Sequence, residues 1–173
     1  MAHPIMKIMD TRPIGIFDSG VGGLSVLREI KKLLPRENYI FIADQKNVPY
    51  GEKSKYQLRK ISDRIVGYFI KRNVKMIVIA CNTASCYAID FLRKKHSSLP
   101  FVGTVPAIKT AAELSCRKSI AVLSTPATAK SSYIKDLIRK YADGVTIANI
   151  GCPNLENLIE QGMINSPSVK ILL

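Results

Sequence analysis

Cys81 is the residue of this sequence with the clearest chemical potential. It follows an apolar run at 76–80 and precedes a stretch that favours a helix. At such a junction the positive end of the helix stabilises the thiolate, so the sequence predicts a thiol that can act as a base or a nucleophile. Asn82 and Thr83 can cap this helix or donate hydrogen bonds to a carboxylate. The alternative interpretation is a small buried cysteine without a chemical role, which is the commoner setting for a cysteine in a strand–helix region.

The remaining cysteines form no recognisable catalytic or metal-binding pattern. Cys86 is expected inside a helix, Cys116 in a polar connection, and Cys152 before a proline in a structural role. The sequence contains no C-x-x-C, and with only two histidines it does not favour a structural zinc site. Four cysteines in buried-looking positions are typical of a protein of the reducing cytoplasm.

A glycine-rich loop, Asp18-Ser19-Gly20-Val21-Gly22-Gly23, follows the first apolar run and has two interpretations. With Asp44 at the end of the second run, the loop begins like a dinucleotide fingerprint, although the third small position is Ser25. Alternatively, its successive N–H groups and the Ser19 hydroxyl form a nest for a carboxylate or phosphate. Asp18 would repel such an anion, so we expect it to face an ammonium group or to accept a proton.

Apolar runs alternate with helical patterns along the whole chain, which predicts parallel sheets covered on both faces. Such sheets collect ligands at the carboxyl ends of their strands, where the loops named above lie. We predict an α/β fold of two Rossmann-like (flavodoxin-like) lobes with a cleft between them. The predicted domain bounds are an N-terminal tail at 1–12, a first lobe at 13–103 and an incomplete second lobe at 104–173. No clear helical pattern follows Gly162. The predicted strands are 13–17, 39–43, 76–80, 101–103, 119–123 and 145–150, and the predicted helices are 24–34, 54–72, 83–95, a segment after Pro106, 127–141 and 154–161.

The chain of 173 residues carries a formal net charge of +13, from 26 Lys and Arg against 13 Asp and Glu. This excess raises nucleic-acid binding as a hypothesis, but the basic residues are spread over several helical faces and form no compact arm. We therefore expect solvated helix surfaces and no nucleic-acid partner. No apolar run approaches the length of a membrane span, and the first ten residues lack the apolar core of a secretory signal.

Three blocks of sequence resemble the glutamate racemases in order and spacing. They are the loop at 18–23, Val48-Pro49-Tyr50-Gly51, and Ala80-Cys81-Asn82-Thr83-Ala84-Ser85. The stretch at 102–109 also resembles a form seen in that family, and the similarity runs from about Ile14 to Gly162. The resemblance implies cofactor-independent inversion of glutamate by two cysteines on opposite sides of the α-carbon, which supplies D-glutamate for peptidoglycan in the bacterial cytoplasm. It also implies a homodimer.

The resemblance carries over to individual positions. It implies that Cys81 is one of the two catalytic thiols, that Asp18 assists it, and that Glu160 supports the second catalytic side. The substrate-binding residues that it implies are Asp18, Ser19, Pro49, Tyr50, Gly51, Asn82, Thr83, Thr125 and Thr128.

One departure from the family is large. The second cysteine of the family lies in a Cys-Thr-His block, and this sequence contains no such block and no closing segment that returns to the first lobe. We therefore expect a shortened chain with one half of a two-base site, in which catalysis is doubtful. The alternative is a non-catalytic remnant that binds an acidic amino acid or a protein partner. A nicotinamide enzyme, based on Gly20, Gly22 and Asp44, is a further alternative.

Overall fold

The computed structural model describes residues 10–163 and 165–172, and it contains two parallel sheets. The first sheet is formed by β1 (Ile14–Asp18), β2 (Tyr39–Ala43), β3 (Met76–Ile79) and β4 (Phe101–Gly103), and the second by β5 (Ser119–Ser124) and β6 (Thr146–Gly151). The helices are α1 (Gly23–Leu33), α2 (Lys55–Lys71), α3 (Asn82–Lys95), α4 (Ile108–Leu114), α5 (Pro126–Lys130), α6 (Ser132–Tyr141), α7 (Leu155–Glu160) and α8 (Pro167–Leu172). Two short 3-10 helices, Gln45–Asn47 and Tyr50–Glu52, join β2 to α2.

The first sheet has the strand order β2-β1-β3-β4, and all of its pairs are parallel. Ile14 of β1 pairs with Tyr39 of β2 on one side and with Met76 of β3 on the other. The crossover direction therefore reverses between β1 and β3, which makes the carboxyl ends of these two strands the topological switch point, where ligands bind in open α/β sheets. The predicted α/β fold with parallel sheets is confirmed.

Apolar residues on both faces of β1 and β3 explain why this sheet is covered on both sides. One face packs against α2 and α3 through buried residues that include Phe17, Leu58 and Phe69. The other face packs against α1 through a smaller cluster that includes Ile16 and Val78. Buried apolar area of this kind is the main source of stability in such a lobe.

The second sheet has its own core. Ile108 of α4, Val122 of β5 and Ile134 of α6 form it together with Ala112 and Ala142. Along the sequence, the strands of the first sheet end at position 103 and those of the second sheet follow it. The lobe boundary that we placed after position 103 remains a prediction. Of the predicted N-terminal tail, residues 1–9 lie outside the described residues.

Two sequence-based predictions about helices were wrong. The single helix predicted at 127–141 is divided at Ser131, whose backbone is extended (φ −66°, ψ 145°) and whose side chain caps α6 by accepting a hydrogen bond from the Ile134 N–H. Serine favours such a cap because its hydroxyl replaces a missing backbone partner. A short helix, α8, also lies within the segment after Gly162, in which we predicted no helical pattern, and it begins at Pro167, which suits the first turn of a helix. Among the helices of the described residues, none is long and apolar enough to cross a membrane.

Candidate active site

A cavity of about 670 Å³ lies between the two lobes, at the carboxyl ends of β1 and β3. Its wall combines the loops after these strands with β5, the start of α5 and one side of α7. The switch point of the first sheet therefore faces the second lobe across the cavity. Of the residues that the sequence predicted for the site, this cavity brings together Asp18, Ser19, Cys81, Asn82, Thr83, Thr125 and Thr128.

Cys81 is the N-cap of α3, and its thiol is 6% exposed. The Sγ atom accepts a hydrogen bond from the Ala84 N–H at 3.5 Å and lies 3.5 Å from the Ser19 hydroxyl oxygen. Burial, followed by the negative charge of Asp18, raises the pKa of the Cys81 thiol to about 11, although the hydrogen bonds from Ala84 and Ser19 act in the opposite direction. The Ala84 N–H at the start of α3 lowers the pKa of Cys81, in the direction that the sequence analysis expected from the helix terminus. The helix does donate to sulfur, but removal of the thiol from water outweighs it.

The Asp18 carboxylate fills the glycine-rich nest from within the protein. Its Oδ2 atom accepts hydrogen bonds from the N–H of Gly23 at 2.8 Å and of Gly20 at 3.4 Å, so it caps α1 while it also lines the cavity. A Cβ atom at position 23 would lie 2.6 Å from the Asp18 Cβ, so this close approach requires glycine. The N–H groups of the loop thus form a nest, but its anion is the Asp18 carboxylate of the chain and not the bound carboxylate or phosphate that the sequence analysis considered.

Asp44, the acid of the dinucleotide alternative, is engaged by neighbouring side chains. It accepts hydrogen bonds from the Tyr50 hydroxyl at 2.7 Å and from the Asn47 amide at 2.8 and 2.9 Å. Burial, followed by the hydrogen bond to Asp44, strongly raises the pKa of Tyr50, so the phenol stays neutral and acts as a donor. Neither Asp44 nor Tyr50 lies on the wall of the main cavity.

Three threonine hydroxyls form a closed triangle across the boundary between the lobes. Thr83 Oγ1 lies 3.1 Å from Thr125 Oγ1 and 2.9 Å from Thr128 Oγ1, and Thr125 donates to Thr128 at 3.0 Å. Thr125 also caps α5 by accepting from the Thr128 N–H. The triangle joins the first turn of α3 to the first turn of α5 and places hydroxyl groups on the cavity wall.

Helix α7 carries two glutamates, Glu156 and Glu160, that reach back to the first lobe. Both carboxylate oxygens of Glu160 accept from the Val21 N–H at 3.1 Å, whereas Glu156 Oε1 accepts from the Gly51 N–H at 3.2 Å. Glu160 borders a separate cavity of about 210 Å³, and Glu156 lines the main cavity. Three of the predicted substrate-binding residues, Pro49, Tyr50 and Gly51, do not line the main cavity. Gly51 is linked to the cavity wall by its hydrogen bond to Glu156.

Glu156 was missed by the sequence analysis. Burial raises the pKa of its carboxyl, the Gly51 N–H opposes that shift, and the charges of Glu52 and Glu160 add to it. The only sequence signal was its spacing of four residues from Glu160, which places both side chains on the same face of a helix. That spacing does not reveal which surface the face meets.

These features define a class of protein: a two-lobed, parallel α/β protein whose cleft is lined by a thiol, two carboxylates and several hydroxyls. The chain matches the sequence profile of the Asp/Glu/Hydantoin racemase family over residues 14–169, and it belongs to that family.

Known proteins similar to the chain agree with this assignment. The chain is 44% identical over 168 residues to the glutamate racemase of Roseiflexus sp. (strain RS-1), and the matched region covers 97% of this chain and 62% of that protein. The chain is 42% identical to the glutamate racemase of Clostridium botulinum (strain Alaska E43 / Type E3), and the matched region covers 92% of this chain and 62% of that protein. The chain thus spans about 62% of the length of these curated relatives.

Solved structures give the same result. The crystal structure of Escherichia coli glutamate racemase in complex with L-glutamate and the activator UDP-MurNAc-ala has a TM-score of 0.84 and 39% identity, over 94% of this chain and 63% of that one. The glutamate racemase of Francisella tularensis subsp. tularensis SCHU S4 in complex with D-glutamate has a TM-score of 0.80 and 31% identity, over 95% of this chain and 61% of that one.

Proposed function

We propose that the cleft binds glutamate and that the chain carries one half of a two-thiol racemase site, with Cys81 acting on one face of the α-carbon. The observation that carries this proposal is the convergence of Cys81, Asp18 and the threonine hydroxyls on one cavity at the switch point of the first sheet. The volume of about 670 Å³ is ample for an amino acid. Relatives solved with L-glutamate or D-glutamate bound support glutamate as the ligand.

The polar groups of the cavity suit the three charged groups of glutamate. Asp18 is a buried carboxylate next to Cys81, so the ammonium group of the ligand gains most by facing it. The Asn82 amide is a neutral donor for carboxylate oxygens, and the hydroxyls of Thr83 and Thr125 become donors to them by rotating out of the triangle. Ser19, within hydrogen-bond reach of the Cys81 sulfur, fixes the position of the thiol relative to the α-carbon.

Proton transfer by Cys81 requires its thiolate. The thiolate takes the α-proton, the Cα–H bond breaks, an S–H bond forms, and the electron pair stays on the α-carbon and spreads into the adjacent carboxylate. In the free cleft the thiol is neutral, because its pKa is raised to about 11 by burial and by Asp18. A ligand ammonium beside Asp18 offsets that negative charge, which favours the thiolate when the substrate is bound. No cofactor takes part in this step.

Inversion also requires a proton donor on the opposite face. Cys81 is the one cysteine that lines the cavity among the described residues, and the sequence contains no Cys-Thr-His block. We propose that Glu160 belongs to the support of the second side, as the resemblance implies. The chain of 173 residues then binds glutamate without racemising it at an enzymatic rate, since loss of one member of a cooperating catalytic set costs several powers of ten.

The wider setting follows from the same proposal. We propose that the protein acts in a cytoplasmic, homodimeric enzyme that supplies D-glutamate for peptidoglycan. Sedimentation velocity tests the homodimer, and growth rescue of a strain that requires D-glutamate tests the physiological role. A second candidate function is binding of an acidic amino acid without catalysis, which is favoured because Cys81 is the one cysteine on the cavity wall among the residues that the structure describes.

Two readouts in deuterated water distinguish these possibilities. Mass spectrometry follows α-proton exchange in each enantiomer of glutamate, and chiral chromatography follows inversion. We expect no inversion near the typical enzymatic scale of ~1 per second, and exchange in one enantiomer only. The Cys81→Ala variant should abolish that exchange, whereas Cys86→Ala, which removes a thiol outside the cavity, should retain it. Rapid inversion would overturn the half-site proposal, and silence in both readouts with glutamate still bound would favour binding without catalysis.

A further inference from the structure

Gly51 and Glu156 form a contact in the cleft that resembles a ligand carboxylate bound to its donor. Glu156 Oε1 accepts the Gly51 N–H at 3.2 Å, and a Cβ atom added to Gly51 would lie 2.5 Å from that same oxygen and 2.8 Å from the Thr125 Cβ. The Cα of Gly51 therefore faces both the Glu156 carboxylate and Thr125, the cap residue of α5, and the Glu156 carboxylate occupies the Gly51 N–H.

The electrostatic balance of the cavity makes this contact important. Among the described residues on the cavity wall are two carboxylates, Asp18 and Glu156, and no Lys, Arg or His. The large positive charge of the chain thus lies elsewhere, and anions in the cleft depend on neutral donors. Glutamate brings two carboxylates and one ammonium group, so one of its carboxylates must approach a wall that is already negative.

The two carboxylates of the cavity wall, Asp18 and Glu156, would meet different groups of a bound glutamate. Asp18 is held by the N–H groups of Gly20 and Gly23, lies beside Cys81 and suits the ligand ammonium. Within the described part of the chain, Glu156 makes one side-chain hydrogen bond, to Gly51, and it lies on a helix of only six residues. Glu156 is therefore the carboxylate that a second acid group has to displace.

We propose that Glu156 is a specificity-determining residue: its carboxylate competes with the ligand for the Gly51 N–H and lowers the affinity of the cleft for acidic amino acids relative to their uncharged amides. This inference rests on the proposed function, because it assumes that the cleft binds an amino acid. Removal of the competing charge should strengthen glutamate binding and leave glutamine binding much less affected.

The test is a set of titrations by isothermal calorimetry, with L-glutamate, D-glutamate and L-glutamine, on the whole chain. Glu156→Ala frees the N–H, and Glu156→Gln keeps an acceptor of similar shape without the charge. We expect both variants to bind glutamate at least ~10-fold more tightly than the unmodified chain, since like charges in a cleft cost several kcal/mol. In both variants, the affinity for glutamate relative to that for glutamine should rise as well.

A matched control separates competition from a general change in charge. Glu52→Gln removes one negative charge from an exposed residue next to Gly51 that does not line the cavity, and it should change the glutamate affinity by less than ~2-fold. As a second readout, the ¹⁵N–¹H signal of Gly51 should shift on addition of glutamate to Glu156→Ala. The same ¹⁵N–¹H spectrum shows whether the Glu156→Ala variant is folded.

The failures of the two proposals are distinguishable. If the unmodified chain binds glutamate and neither Glu156 variant binds it more tightly, the role of Glu156 is overturned while the glutamate site stands. An equal gain in Glu52→Gln would overturn it as well, because the effect would then be one of net charge. If no form of the chain binds glutamate or glutamine, the proposed function fails, and the inference falls with it.

Discussion

Thr83 and Thr128 are joined by a hydrogen bond of 2.9 Å between their hydroxyl oxygens, although they belong to different lobes. Both side chains are almost completely buried, with exposed fractions of 3% and 1%. A buried hydroxyl without a partner is costly, so this pair depends on the two lobes being in contact. It therefore fixes one wall of the cavity beside Cys81.

The hydroxyl triangle predicts a stability loss in Thr128→Val. This variant leaves the shape nearly unchanged but removes a partner of both Thr83 and Thr125, and we expect it to lower the free energy of unfolding by ~1–3 kcal/mol. Urea unfolding followed by circular dichroism measures the loss. Thr128→Ser retains the hydroxyl and should lose less. A loss in Thr128→Ser with none in Thr128→Val would show that the methyl group, and not the hydrogen bonds, stabilises this site.

The charge of Asp18 predicts an effect on the thiol of Cys81. Asp18→Asn removes the second-largest cause of the raised pKa, after burial, so the pKa of Cys81 should fall below about 11. Alkylation rates of the Cys81 peptide as a function of pH, read by mass spectrometry, give this pKa. Asp44→Asn is the control, because Asp44 bonds to Tyr50 and Asn47 and does not line the cavity. A fall in both variants alike would exclude a specific influence of Asp18.

Burial predicts the order in which the four thiols react. Cys116 is exposed, whereas Cys81 and Cys152 are buried and Cys86 is intermediate, so Cys116 should be alkylated first at neutral pH. The sequence analysis, in contrast, predicted from the helix terminus that Cys81 can act as a base or a nucleophile. Because only the thiolate reacts, the rate at Cys81 should rise with pH until its pKa of about 11 is passed. Labelling of Cys81 before Cys116 at pH 7 would contradict the burial seen in the structure.

Two glycines in helices predict opposite effects of the same substitution. Gly23→Ala places a Cβ atom 2.6 Å from the Asp18 Cβ and 3.0 Å from Phe41, so it should destabilise the fold by ~1–3 kcal/mol. Gly67→Ala, in the middle of α2, meets no atom of the described residues within 4 Å, so the higher helix propensity of alanine should stabilise the fold by ~0.5–1 kcal/mol. Thermal unfolding of both variants checks the sign. A neutral result for Gly23→Ala would mean that the loop at 18–23 can shift away.

The sequence was sufficient to predict that Asp18 and Cys81 meet, and the reason is local. Each follows a strand whose apolar pattern is unambiguous, and parallel strands bring their carboxyl ends to one edge. The chemical state of Cys81 could not be predicted in the same way. The helix terminus is visible in the sequence, but the burial that raises the pKa of Cys81 arises only when the lobes pack.

The contacts of Glu156 and the break at Ser131 were also beyond prediction. Glu156 meets Gly51 across a separation of 105 residues, and no local pattern encodes that contact. Ser131 lies within a continuous helical pattern, and its break is stabilised by the bond from its hydroxyl to the Thr128 carbonyl at 2.7 Å. In both cases a tertiary or capping contact outweighs a local preference.

The separate hydrophobic cores of the two lobes have a consequence for local opening and amide hydrogen exchange. The apolar cluster of the second lobe shares no residue with the two clusters of the first, and several contacts between the lobes are hydrogen bonds that water can replace. Separation of the lobes therefore has a lower free energy than unfolding of either one. The Val21 and Gly51 amides should exchange with solvent deuterium through this small opening. The amide of Ile77, in the centre of the first sheet, should exchange only when its whole lobe unfolds.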